Sequence, residues 1–70
     1  METLTRIPTF LTQRIRAEYT EAPGLRLTVA QAARFWGLDS RVCEHALHEL
    51  ESAGFLGRHA DGSYRHPPDS

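Results

Sequence analysis

Apolar residues recur along this chain with helical spacing in three places and with strand-like alternation in two. In "PTFLTQRIRAEYTEAPG", Phe10, Leu11, Ile15, Tyr19 and Ala22 fall on one helical stripe. Pro8 suits the first turn of that helix, where its missing N–H would be unpaired in any case. Pro23-Gly24 ends it, the glycine being expected to supply the left-handed conformation that closes helices. Leu25 to Leu27, "LRL", alternates as a short strand does.

Thr28 then reads as a helix N-cap, with Gln31 three residues later completing a capping box. Within the helix it opens, from Val29 to Trp36, the apolar Val29, Ala32, Ala33 and Trp36 follow i, i+3, i+4, i+7, so one face is expected to be buried. Gly37 stops this helix. Leu38 is apolar, and Asp39 or Ser40 caps a further helix running to about Ala53. Leu38, Cys43, Leu47 and Leu50 are its expected inner face. After Gly54, Phe55-Leu56 and Tyr64 flank Asp61-Gly62, a strong short hairpin signal. The expected order is helix, strand, helix, helix, β-hairpin, with a core over about 9–66 and flexible tails at 1–7 and 67–70.

Composition narrows the class without naming a ligand. Seventy residues correspond to one domain, and the 40% apolar share is enough for one small core. All eight basic residues are arginine, against nine acids, giving a formal charge of −1. Overall charge therefore does not announce a nucleic-acid binder, although arginine can grip phosphate or guanine with a two-pronged donor fork. The single cysteine, Cys43, excludes an intramolecular disulfide and reads as a small buried hydrophobe. The apolar runs are shorter than the ~20 residues a membrane span needs, so the expected setting is cytoplasmic, with no membrane partner.

Two helices joined only by "GLD" must cross steeply. Small residues, Ala32 and Ala33, stand where the second helix approaches, and Gly37 lets the chain turn. An alanine, a glycine four residues on, and an apolar residue directly after it resemble the helix-turn-helix pattern. With "HELESAGFLGRHADGSYR" added, the chain resembles the winged helix-turn-helix family over roughly residues 9–66. The resemblance implies a mainly α domain with a small antiparallel β wing, whose third helix enters the major groove of double-stranded DNA. It carries Ser40, Arg41, Glu44, His45 and His48 onto the outward face of that helix. Arg41 becomes the candidate for guanine or phosphate, the two histidines donors, and Glu44 an acceptor from cytosine. Thr28 and the amides after it would hold a phosphate, and Arg34, Arg58 and Arg65 would add backbone contacts.

Charge works against a simple version of that reading. From Thr28 to His66 four arginines (34, 41, 58, 65) meet five acids, while DNA affinity draws on a local positive excess. Phe35, Val42 and Ala46 do not all fit an inner stripe and suggest an outward apolar patch. Two functions of different kind therefore follow. One is a DNA-binding transcriptional regulator, working as a homodimer or beside a partner. The other is a winged-helix interaction module that presents the acidic third helix and Phe35 to a partner protein. His45 and His48, three apart, lack the further ligands a metal would need, so neither metal nor cofactor is expected. No Ser/His/Asp set, carboxylate pair or phosphate loop points to an enzyme.

Overall fold

The computed structural model describes residues 9–67. The expectations for Pro8, for the tail at 1–7 and for all of the 67–70 tail except Pro67 fall outside the described residues. Six elements follow one another: α1 (Thr9–Glu21), β1 (Arg26–Leu27), α2 (Val29–Trp36), α3 (Ser40–Ser52), β2 (Gly57–Arg58) and β3 (Tyr64–Arg65). The chain is thus mainly helical, with a small antiparallel sheet.

Helix α1 buries Leu11, Ile15 and Tyr19, a row with a strict four-residue step. Phe10, one residue off that row, is turned about 100° away by helical geometry and is 71% exposed. Ala22 lies beyond the last helical residue, so both leave the expected stripe. The stop after α1 is made by a turn in which the Leu25 amide donates to the Ala22 carbonyl (2.9 Å). Gly24 takes no left-handed conformation there, contrary to its expected role.

The start of α2 follows local chemistry closely. Thr28 Oγ1 accepts from the Gln31 amide at 3.2 Å, while the Thr28 amide donates back to Gln31 Oε1 at 3.0 Å. These two bonds satisfy donors that the helix itself leaves unpaired. Gly37 closes α2 with φ +65°, a conformation in which a side chain is strained, and the Leu38 amide then donates to Ala33 carbonyl at 2.9 Å. Asp39, rather than Ser40, caps α3, its carboxylate accepting from the Arg41 amide at 2.8 Å. The helix ends at Ser52, one residue before the expected limit, with Ala53 as its cap.

Around α3 the core closes. It packs against α2 on one side and α1 on another, burying Cys43, Ala46, Leu47 and Leu50. Ala46 is completely buried and Val42 packs partly against the core, so neither joins an outward patch. Ala46 sits three residues after Cys43 and four before Leu50, which is the inner row. Only Phe35, 57% exposed, remains of that expected patch.

The sheet has the order β1-β3-β2, all antiparallel. Strand β1, 38 residues upstream of β3, joins the hairpin through Leu27↔Tyr64 and Arg26↔Arg65. Phe55 and Leu56 precede β2 instead of starting it; both amides point to the Leu50 carbonyl, at 2.9 and 3.2 Å. The hairpin turn is also longer than a two-residue Asp-Gly turn. His59 and Ser63 close a three-residue loop (2.8 Å), Gly62 donates to the His59 carbonyl (2.9 Å), and only Gly62 has positive φ, +90°. That is a type I turn finished by a glycine, the second common hairpin solution.

Tyr19 locks α1 to the sheet, its hydroxyl donating to the Tyr64 carbonyl at 2.9 Å inside the core. Burial, and secondarily Cys43 and Tyr64 nearby, push that hydroxyl far above its ordinary ionisation range. A second tie crosses the surface. The Arg16 guanidinium lies 4.6 Å from the Phe55 ring centre, and Phe55 meets the His66 ring edge-on at 4.3 Å. Arg16 of α1 thus packs over the segment that follows α3.

Candidate functional site

Helical spacing decides what α3 shows. With Cys43, Ala46, Leu47 and Leu50 inside, Arg41, His45, His48 and Ser52 form the opposite row at steps of four, three and four. All four are exposed, as are Ser40 and Glu44. Glu44 lies on one flank of the row, beside the hairpin, and Glu49 on the other, beside α1. Two grooves record that division. Glu44, His45 and His48 line one of about 350 Å³ together with Arg58 and Tyr64. Glu49 lines another with Thr12, Gln13 and Arg16 of α1.

Strand register explains why Arg58 reaches α3. Directly opposed residues of antiparallel strands share a face, and Arg58 opposes Tyr64, as Leu27 does from the other side. Tyr64 is buried against the helices and Leu27 packs on the core. Arg58 therefore projects from the helix-facing side of the sheet, at its edge, next to α3. Arg65 opposes Arg26 and Gly57 on the other side. The two-residue period of the strand thus turns Arg58 and Arg65, both expected to contact the DNA backbone from the hairpin, to opposite faces of the sheet.

The remaining candidates lie apart from this cleft. Arg34 is exposed on α2 and lines a groove of about 450 Å³ with Arg26, Leu27, Gln31 and Phe35. Thr28 is half-buried and committed as a cap, though its hydroxyl hydrogen stays available to an acceptor. Arg26 was missed as a candidate. The signal for it was the alternation in "LRL", which sends Arg26 outward from a strand whose neighbours turn inward.

Electrostatically, the α3 row is less acidic than its composition. Glu51, half-buried, meets His48 Nδ1 at 3.5 Å, a contact that becomes an ion pair when the imidazole is protonated. Among the described residues no arginine takes part in a salt bridge. The guanidinium groups of Arg41 and Arg58 thus have no carboxylate partner among the described residues. No group of three or more His, Cys, Asp or Glu side chains gathers to hold a metal among the described residues. Cys43 is completely buried, and burial raises its thiol above the ordinary range, which keeps it protonated and unreactive.

At the hairpin tip, Asp61 accepts from the Ser63 amide (3.0 Å) and the Ser63 hydroxyl (2.8 Å). Those two bonds, helped by His59 and Arg26, hold its carboxyl below the ordinary aspartate value. A depressed folded-state value means stability that is present above the unfolded value and lost as pH falls through the folded one. Thermal midpoints of the parent and of Asp61→Asn should therefore differ near neutrality and converge as pH falls below the ordinary aspartate range. A gap that stays constant across that range would count against the hairpin-tip linkage.

Comparison with protein-family models, with curated proteins and with solved structures finds no match to this chain. No helix among the described residues is long and apolar enough to cross a membrane.

Proposed function

We propose that this chain binds double-stranded DNA as a winged helix-turn-helix protein and works as a small transcriptional regulator. In this reading α3 enters the major groove and β2–β3 is the wing. One observation carries it. His45 and His48 of the outward row of α3 meet Arg58 of the hairpin at one cleft, Arg41 is exposed on the same row, and among the described residues neither Arg41 nor Arg58 forms a salt bridge. Arg41, one residue into the helix, is placed to reach a guanine edge or a phosphate, and Arg58 to hold the backbone beside it. Ser40 adds a donor at the same helix start. Glu44 sits between them and can accept only from a cytosine amino group.

A single reading helix gives a small interface, so a homodimer or a partner subunit completes the footprint. The acidic-helix alternative, in which Glu44 and Phe35 form one protein-binding face, has less support. Glu44 lines the α3–hairpin groove and Phe35 the α2–β1 groove, and those grooves share no residue.

The test is a mobility shift on mixed-sequence duplex DNA at low and at physiological salt. Neutralising two to four phosphates gives a log–log salt slope of about −2 to −4. Absence of a shift at low salt would overturn the reading.

A further inference from the structure

Arg26 and Arg65 stand directly opposite each other on β1 and β3, on the sheet face turned away from the core. Like charges in that relation repel and weaken the strand pair. Among the described residues no carboxylate forms an ion pair with either guanidinium. Asp61 feels Arg26, but both of its hydrogen bonds go to Ser63. The two arginines border a concavity of about 320 Å³ that also takes in Pro23, Gly24, Leu25 and His66. Arg65 is half-buried there, so its charge is only partly relieved by water.

We propose that this outer face carries a second anion site, in which Arg26 and Arg65 together hold a phosphoryl group. Two guanidinium groups in register offer paired, planar donors, the arrangement that phosphate oxygens accept best. The His66 ring at the rim adds a further nitrogen, though its Nδ1 already lies 2.9 Å from the Pro67 carbonyl. A bound anion also removes the repulsion across the β1–β3 pair, so occupancy and sheet stability rise together. The site is independent of the α3 cleft, because strand alternation turns Arg58 to one face and Arg26 and Arg65 to the other. The phosphoryl group belongs either to a nucleic-acid backbone or to a free phosphoester.

A titration of the ¹⁵N-labelled chain with inorganic pyrophosphate, read at the arginine Nε–Hε signals, tests this. Saturable shifts are expected for Arg26 and Arg65, and they should be lost in Arg26→Gln and unchanged in Arg41→Ala. In parallel, pyrophosphate should raise the thermal midpoint of the parent but not of Arg26→Gln. Without the anion that variant should melt no lower than the parent, because it removes a like-charge pair. Non-saturating shifts, or saturation that survives in Arg26→Gln, would overturn the site. A second arm uses a short duplex DNA. If the backbone is the source, the duplex moves the Arg26 and Arg65 signals at lower phosphate concentration than pyrophosphate does. If a free phosphoester is the source, only pyrophosphate moves them. A failed duplex-binding test with a positive pyrophosphate titration would remove the DNA reading and leave this site standing.

Discussion

Leu47→Ala should cost this protein about 2–5 kcal/mol of folding stability, the range for emptying a leucine-sized space that cannot collapse. Leu47 is completely inaccessible, on the inner row of α3, which packs against both α1 and α2. Neighbours on that row, Cys43 and Ala46, are also fully buried, so little surrounding side chain is free to move into the void. A chain of 70 residues has roughly 3–10 kcal/mol of stability to lose. The variant therefore sits near the edge of folding, and urea denaturation should show a much lower midpoint with an unchanged slope. Phe35→Ser is the matched contrast. Phe35 is larger than Leu47 but 57% exposed, so its loss should stay within about 0.5 kcal/mol. Comparable losses for the two would mean that burial on the inner row of α3 does not set what a side chain contributes to stability.

What the chain made legible, and what it hid, separates by the distance over which each feature is specified. The Thr28–Gln31 capping box and the Gly37 stop need only four residues and the intervening backbone, and both are realised. The inner row of α3 is equally local, since a 3.6-residue period sorts thirteen residues into faces, and Cys43, Leu47 and Leu50 are legible from it although Ala46 is expected outward. The Asp61-Gly62 signal announced a hairpin correctly but not its length. The same dipeptide serves a two-residue turn or the end of a three-residue one, and the pairing of Tyr64 with Arg58 chooses between them. Gly24 was misread because a Pro-Gly pair can end a helix by an ordinary turn as well as by a left-handed residue.

The functional surface divides in the same way. The row Arg41, His45, His48 was readable because one helix defines it. The separation of Arg58 from Arg65 was not, since both follow short strand-like fragments and only the register of β3 between its neighbours fixes their faces. Arg26 escaped attention for a related reason. Its partner is 39 positions away, and no local pattern links the two.

The row on α3 makes opposite predictions for two neighbouring residues. Arg41→Ala should weaken binding to a preferred duplex about 5- to 150-fold and relax discrimination at the base it reads. Glu44→Gln should do the reverse and strengthen binding by up to about tenfold, because a carboxylate at the cleft meets the negative potential of the phosphates. Glu49→Gln removes the same charge on the flank next to α1, where Thr12, Gln13 and Arg16 lie, and should leave affinity nearly unchanged. The comparison separates position from net charge, since the two glutamine variants have identical composition effects. Fluorescence anisotropy with a labelled duplex, repeated over a salt series, measures all three. Equal affinity of Arg41→Ala and parent throughout that series would remove α3 as the reading helix. Equal gains from Glu44→Gln and Glu49→Gln would mean that DNA senses only the overall charge, leaving the α3–hairpin cleft without a role in recognition.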